Sequence, residues 1–363
     1  MTNYRLLALT RYDRLGSSSR VRFYQYFPYL QTRGMQITSA PLLDDEYVRR
    51  LYRGQRVNLA SVTSAYFRRL FRLIGSRSFD LLWVEKELFP WFPAVAERVL
   101  SFLRIPYVVD YDDAVFHRYD EHRNRLVRLA LGHKIDAVMG NASLVIAGNE
   151  YLASRARDAG ARRVEILPSV VDLDRFHSPA ARNSGAGANP ERFTIGWIGS
   201  PVTAPYLSLV REPLEAISSQ GGVELVLIGA GSVDPLPGLP KKTILWSEAQ
   251  EAELLASLDV GIMPLPDSPF ERGKCGYKLV QYMAAGLPVI ASAVGVNTRI
   301  VEHDRTGFLA SNPQEWLDAL QMLKDEPQKR AQLGAAGRQR AEESYSLELT
   351  APKLFDLLCS ATG

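Results

Sequence analysis

The 363-residue sequence predicts an α/β protein with two doubly wound domains in tandem. Short apolar runs alternate with helix-length amphipathic segments along the chain, which is the pattern of parallel sheets with helices on both faces. A Gly-, Asn- and Ala-rich stretch without periodicity, residues 182–191, interrupts that pattern near the middle and predicts a linker. The length also suits two hydrophobic cores better than one.

Apolar runs of strand length occur in both halves of the chain. In the first half we expect strands at 4–10, 35–40, 81–85, 106–111, 143–148 and 163–168. In the second half we expect them at 193–200, 223–231, 242–246, 260–265, 287–292 and 307–310. The predicted domains are residues 1–181 and 190–345, and we expect 346–363 to form a helix that packs back on the first domain.

Composition and charge narrow the class of protein. Two distant cysteines supply no disulfide framework, and no run reaches the roughly 18–20 apolar residues that a membrane span needs, so we expect a cytoplasmic protein. Residues 1–180 carry 27 Lys and Arg against 19 Asp and Glu, whereas residues 181–363 carry 16 against 21. The basic first half either contacts anionic lipid or a phosphorylated substrate, or serves solubility alone. Nucleic-acid-binding modules and Cys/His metal spacings are lacking, so we expect neither partner.

The segment 273–292 carries the most specific chemistry in the sequence. It opens with glycines, continues as a predicted helix over 276–285 and ends in a buried strand. The positive end of such a helix binds phosphate, and two lysines share a face near that end if the helix begins before Lys274. We therefore predict a diphosphate at Lys274, Gly276 and Lys278, although an isolated lysine pair would indicate a solvated surface.

Four segments together resemble glycosyltransferase family 4, a group of GT-B enzymes that use sugar nucleotides. They are residues 144–176, 196–207, 259–268 and 281–310. The resemblance implies two facing Rossmann-like domains with a deep cleft, a sugar-nucleotide donor site in the second domain, transfer with retention of configuration, no cofactor and no catalytic metal. It also places the first turn of the second domain, Gly199 and Ser200, at the donor diphosphate.

The donor segment departs from the family pattern. Family 4 members commonly carry two glutamates there, and the corresponding places hold Gly273 and Gln281. Gln281 could still bind the ribose through its amide, while Asp267 and Glu271 are alternative substitutes for the first glutamate. The family's usual Arg and Lys at the diphosphate are also missing, which leaves the two lysines of segment 273–292 to supply that charge.

The first domain would supply the acceptor side of the cleft. The resemblance places the loop after the first strand there, with Gly16, Ser17, Ser18, Arg20 and Arg22 near the diphosphate and the acceptor. Glycine permits close approach, serine hydroxyls can cap the following helix, and arginines can bind phosphate in bidentate fashion. A serine run before a helix is also an ordinary N-cap.

Acids at the end of another strand are the predicted catalytic residues. Asp112 and Asp113 follow the strand at 106–111, and functional residues of open α/β sheets concentrate at strand carboxyl ends. A carboxylate there could accept the acceptor's proton or stabilise a cationic transition state. A metal site is the alternative, which the resemblance to metal-independent GT-B enzymes disfavours.

Residues 46–77 contain eight arginines interleaved with Tyr, Phe and Leu. At helical spacing these side chains could lie on an anionic membrane with the aromatic rings at the interface. An ordinary amphipathic helix with its arginines in water is the alternative.

Together these features predict a cytoplasmic glycosyltransferase, at the inner face of the cell membrane if it binds lipid. It would move a sugar from a nucleoside-diphosphate sugar to a glycan, lipid-linked or small-molecule acceptor in cell-surface polysaccharide or glycoconjugate biosynthesis. One alternative is a GT-B-fold sugar-nucleotide epimerase, which would need no acceptor. Another is a catalytically inactive binding or scaffold subunit of a glycan-assembly complex, which would bind without turnover.

Overall fold

The computed structural model describes residues 4–176 and 192–362. The predicted linker at 182–191 lies outside these ranges. Within them, the chain forms two six-stranded parallel sheets with helices packed on both faces, which confirms the predicted α/β class.

The first sheet contains the six strands expected for the first half of the chain. They are β1 (Tyr4–Leu9), β2 (Met35–Ser39), β3 (Leu81–Glu85), β4 (Tyr107–Tyr111), β5 (Leu144–Ala147) and β6 (Val164–Ile166), in the spatial order β2-β1-β3-β4-β5-β6. Every residue of β3, β4 and β5 is buried because helices cover both faces of the sheet. Glu85 and Asp110 are therefore buried carboxylates within this sheet.

Helices fill the segments between these strands. They are α1 (Ser17–Arg22), α2 (Phe27–Thr32), α3 (Asp45–Tyr52), α4 (Leu59–Ile74), α5 (Val95–Phe102), α6 (His117–Asp120), α7 (Arg125–Leu131), α8 (Lys134–Asn141) and α9 (Glu150–Asp158). The amphipathic pattern after β1 does not form one helix: α1 is followed by a 3₁₀ turn at Tyr24–Tyr26 and then by α2. Pro28 lies in the first turn of α2, where its missing N–H costs nothing, so a new helix starts there.

The second sheet repeats the architecture. Its strands are β7 (Phe193–Ile198), β8 (Val223–Ile228), β9 (Lys242–Ile244), β10 (Val260–Met263), β11 (Val289–Ser292) and β12 (Gly307–Ala310), in the order β12-β11-β10-β7-β8-β9. The helices that follow are α10 (Arg211–Ser219), α11 (Glu251–Ala256), α12 (Pro269–Arg272), α13 (Tyr277–Ala284), α14 (Asn297–Ile300), α15 (Pro313–Asp325), α16 (Pro327–Ser344) and α17 (Leu347–Ser360).

The last helix, α17, packs against the first sheet. Ala351, Leu354 and Leu358 are buried in one cluster with Leu6 and Trp83 of that sheet. The contact links the two halves of the chain, while the exact domain boundaries stay predictions. Among the described residues, no helix combines the length and apolarity needed to cross a bilayer.

Candidate active site

A cleft with a cavity of about 270 Å³ lies between the two sheets, lined by loops that follow strands of both. Open α/β sheets bind their ligands at this carboxyl edge. All predicted site residues except Gly16 and Arg22 line it, namely Ser17, Ser18, Arg20, Asp112, Asp113, Gly199, Ser200, Lys274, Gly276, Lys278 and Gln281.

Helix α13 begins at Tyr277, one residue later than predicted. Gly276 precedes it in the left-handed region at φ +65°, and a Cβ there would lie 2.3 Å from the Ile300 Cδ1 atom. Lys274 therefore lies before the helix and shares no helical face with Lys278. Both lysines nevertheless line the cleft.

The direct contacts of the Lys278 ammonium group are with neutral side chains. Its Nζ atom lies 5.2 Å from the centre of the Trp197 ring and donates a hydrogen bond to Thr203 Oγ1 at 3.3 Å. Within the described part of the chain no carboxylate forms an ion pair with it. Exclusion of water, reinforced by repulsion from Lys274, lowers the pKa of Lys278 to about 7. A bound anion would favour its charged form.

The predicted catalytic acids are held in ion pairs. Lys86 Nζ lies 2.7 Å from Asp112 Oδ1 and 3.5 Å from Asp113 Oδ2, and Lys274 Nζ lies 3.4 Å from Asp113 Oδ1. Burial alone would raise the pKa of Asp113, but Lys274, Lys86 and Arg118 outweigh it and lower that pKa to about 2. Asp113 is thus ionised and a weak base near neutral pH, which favours an electrostatic role over proton acceptance.

Arg22 does not reach the cleft, so its predicted phosphate-binding role is wrong. Its Nε and Nη2 atoms donate to the Asp110 carboxylate at 2.7 and 3.1 Å, and Nη1 donates to the Leu167 carbonyl at 2.8 Å. The side chain is only 2% exposed. A buried guanidinium requires such pairing, so the Arg22 side chain belongs to the core of the first domain and is not available to bind phosphate.

Gly16 is also absent from the cleft wall. A Cβ at Gly16 would lie 2.3 Å from Tyr12 Cβ, so the glycine allows the chain to pack against that tyrosine. The predicted serine cap is wrong as well, because no side chain caps α1. Ser19 instead donates to the buried Glu85 carboxylate at 2.6 Å.

The remaining residues of this loop do face the cleft. Ser18 Oγ accepts a hydrogen bond from Lys86 Nζ at 3.3 Å. The Arg20 guanidinium lies 4.3 Å from the centre of the Trp246 ring, which belongs to the second domain. This cation–π contact joins the two walls of the cleft.

The place of the first family glutamate has no room for a side chain. A Cβ at Gly273 would lie 2.4 Å from Ala114 Cβ and 3.0 Å from the Ala114 backbone nitrogen. Of the two substitutes considered, Asp267 is exposed and paired with Arg272 at 2.6 Å. Glu271 is buried and accepts a hydrogen bond from Tyr206, whose side chain lines the cleft. Of the two, only Glu271 is connected to the cleft wall, through Tyr206.

Several residues in or beside the cleft were not among the predicted site residues. Lys86 directly follows β3, so the rule that located the two aspartates at the end of β4 would also have found it. Thr203, Tyr206 and Trp246 belong to irregular or 3₁₀ segments whose approach to the cleft depends on tertiary packing.

Hydrogen bonds between the two domains hold the backbone at Lys274. Asn149, at the start of α9, donates through Nδ2 to the backbone carbonyls of Gly273 and Lys274, each at 3.0 Å. At the neighbouring Gly148, a Cβ would lie 2.1 Å from Cys275 Sγ, so only a glycine allows this approach. Residues 273–276, which we call the lysine loop, therefore pack against the first domain.

Known proteins resemble this chain in sequence and in fold. Residues 192–326, which include the lysine loop and α13, match the family model described as glycosyl transferases group 1. D-inositol 3-phosphate glycosyltransferase from Xylanimonas cellulosilytica is 27% identical over 263 residues, which cover 62% of this chain and 60% of that protein. The chain thus spans about half to three-fifths of the length of the curated relatives it matches.

Solved structures share the whole fold. Sucrose-phosphate synthase from Thermosynechococcus elongatus superimposes with a TM-score of 0.71 at 15% identity, covering 98% of both chains. HepE from Anabaena, solved in complex with UDP, gives a TM-score of 0.71 at 17% identity, covering 98% of this chain and all of that one. The chain therefore has the two-domain GT-B fold. The second half of the chain is in addition similar to the glycosyl transferases group 1 family.

Proposed function

We propose that this protein is a glycosyltransferase that moves a sugar from a nucleoside-diphosphate sugar to an acceptor bound against the first domain. The main observation behind the proposal is that Lys274 and Lys278 line the same cleft as the acids that follow β4. The proposal includes retention of configuration and a role in cell-surface polysaccharide or glycoconjugate biosynthesis.

The donor diphosphate would bind at the amino end of α13. Gly276 and the adjacent helix start offer a positive dipole end, and Lys278 offers an ammonium group that lacks a carboxylate partner within the described residues. When the sugar leaves, negative charge grows on the departing diphosphate. Cations placed there stabilise the transition state more than the bound substrate, which accelerates the reaction.

The nucleoside would lie beside Gln281, with Trp246 and Tyr277 also in the cleft wall. Gln281 is buried, and its amide can accept from or donate to ribose hydroxyls. The structures of HepE with UDP and with UDP-glucose support a uridine diphosphate sugar as the first donor to test.

The acceptor would approach Ser17, Ser18 and Arg20 from the first domain. Glycans, lipid-linked sugars and small molecules all remain candidates, and the name of the inositol phosphate relatives adds a phosphorylated small molecule to the test. Asp112 and Asp113 are already ion-paired with lysines, so the proposal assigns them to charge stabilisation and requires no metal. The reaction would take place in the cytoplasm, and at the inner membrane face for a lipid-linked acceptor.

Thermal-shift titration with UDP-, GDP- and dTDP-sugars tests the donor half of the proposal. A donor that binds the folded state raises the apparent melting temperature, and the rise grows with the logarithm of the donor concentration divided by its Kd. We expect a concentration-dependent rise for one nucleotide class. The absence of a shift with all three classes would overturn the proposal.

A binding subunit without catalysis is the second candidate function. The observation that favours it is the closed position at Gly273, where family members commonly carry a glutamate. Incubating the protein with its best-binding donor and acceptor extracts separates the candidates. Transfer to an acceptor supports the transferase, binding without turnover supports the subunit, and turnover without acceptor indicates an epimerase.

A further inference from the structure

Large apolar side chains are exposed over one face of the first domain, away from the cleft. We call this the apolar face and define it as the exposed side chains of α4 together with those of residues 91–103. Phe71 is 69% exposed and Phe102 is 86% exposed. Contiguous apolar surface of this kind marks an interaction site in a folded protein.

The apolar face is built from two helices with the same outward spacing. Phe67, Leu70, Phe71 and Ile74 of α4 follow an i, i+3, i+4, i+7 pattern and are all exposed, so they form one stripe. On α5, exposed apolar residues stand at 95, 99 and 102. An apolar groove of about 900 Å³ separates the helices.

A strained loop presents aromatic rings beside this groove. Trp91 adopts φ +64°, which is rare for a bulky residue, and it is 51% exposed. Its backbone N–H donates to the Tyr119 hydroxyl at 3.1 Å, and Phe92 packs on Tyr66 of α4 at 5.6 Å between ring centres. Holding the indole at the surface in this way costs conformational energy, and backbone strain of this kind is common at functional sites.

The exposed charges within the two segments that build the apolar face are positive. The sequence has no Asp or Glu from Tyr47 to Phe79, and Arg68 and Arg72 are exposed on α4. Between residues 88 and 105 the one acid, Glu97, is buried and accepts a hydrogen bond from the Leu88 N–H at 2.9 Å. Arg98 and Arg104 in the same stretch are exposed.

We propose that the apolar face docks on an anionic lipid bilayer, with its aromatic and aliphatic side chains in the interfacial region and its arginines on lipid phosphates. Charge complementarity selects this occupant, because aromatic and aliphatic anchors bordered by arginines match an anionic membrane interface. A second copy of the chain would bring like charges together.

This surface differs from the one predicted for residues 46–77. That range forms two helices, and α3 is not part of the face: its Arg50 is paired to Glu46 at 3.0 Å. Arg69 of α4 is buried and donates to the backbone carbonyls of Thr10 and Ala40. Docking therefore relies on α4 and residues 91–103, and it is independent of the proposed function.

Co-sedimentation of the whole chain with phosphatidylcholine vesicles, with and without phosphatidylglycerol, tests the proposal. At low salt we expect binding to the anionic vesicles only, and a steep loss as salt is added. The variant Phe67→Ser/Phe71→Ser/Phe102→Ser and the variant Arg68→Gln/Arg72→Gln/Arg98→Gln should each weaken binding at least about tenfold. These residues are exposed, so folding should persist.

The matched control replaces exposed apolar residues elsewhere, as Leu209→Ser/Met322→Ser/Leu349→Ser, and should bind like wild type. Failure of wild type to bind anionic vesicles at low salt would overturn the proposal, as would equal binding to neutral vesicles or equal loss in the control. Dimerisation that is lost in the phenylalanine variant, without vesicle binding, would assign the face to a second copy. Donor thermal shifts should not change in any of these variants.

Discussion

Two loop–helix segments, one from each domain, were predicted to bind phosphate with a pair of basic residues. In the structure the two pairs lie in different environments. In the second domain, Lys274 and Lys278 both line the cleft. In the first domain, Arg20 lines the cleft whereas Arg22, two positions later, is buried against Asp110. The comparison shows that the presence of a cation near a strand end does not reveal which partner it has.

The difference has a physical cause in what surrounds each pair. Two positions along a helix turn a side chain about 200° around the axis, so Arg22 faces the sheet when Arg20 faces the cleft. The sheet offers Arg22 a buried carboxylate at the end of β4, and the pair neutralises both charges. Lys278 finds a hydroxyl and an indole ring instead, so its charge stays available.

The largest expected effect comes from Arg22→Ala, which removes one partner of a buried ion pair. We expect it to lower the free energy of unfolding by about 3–5 kcal/mol, because Asp110 is left as an uncompensated buried charge. Urea denaturation measures the change, and the exposed Arg305→Ala should alter it by less than about 0.5 kcal/mol. An Arg22→Ala protein as stable as wild type would contradict the structural role.

Next is Lys278→Ala, which addresses the donor site. We expect it to weaken donor binding or catalysis by about 1.5–3 kcal/mol, the scale of a hydrogen bond to a charged group. Titration of the best-binding sugar nucleotide and initial rates measure the loss. The exposed Lys353→Ala is the control, and a Lys278→Ala protein within about twofold of wild type would refute the assignment.

A smaller effect is expected from pH. The pKa of Lys278 is about 7 in the free protein, and a bound diphosphate should raise it. The contribution of its charge to donor affinity is therefore complete below about pH 7 and is lost as pH rises through the bound-state pKa, by at most about tenfold per unit. Isothermal titration across this range should show the decline in wild type. If Lys278→Met showed the same decline, another group would be responsible.

The smallest expected effect on stability concerns Arg20, the cleft-facing arginine of the same helix. Arg20→Gln removes the cation–π contact with Trp246, which should cost about 0.5–1 kcal/mol of stability. That loss is several times smaller than the loss expected for Arg22→Ala. Denaturation of the two variants under identical conditions tests the ratio. Equal losses would show that both arginines are structural.

Much of the cleft was predictable because its residues follow apolar runs. Gly199, Asp112 and Lys274 lie beside strand or helix ends that the hydrophobic pattern locates, and parallel strands bring such ends to one edge. Lys86, which pairs with both aspartates, also lies at such an end. Trp246 and Tyr206 could not have been found in this way, because they reach the cleft through irregular segments.

The sequence alone determined the order of strands and helices, the two-sheet architecture and the glycine turn before α13, because hydrophobic periodicity and backbone conformation are local properties. The tertiary structure alone decided which charges were available. It paired Arg22 with Asp110 and Lys86 with Asp112, and it left Lys278 in direct contact with uncharged groups only. Charge availability depends on neighbours distant in the sequence, and only the folded chain brings those neighbours together.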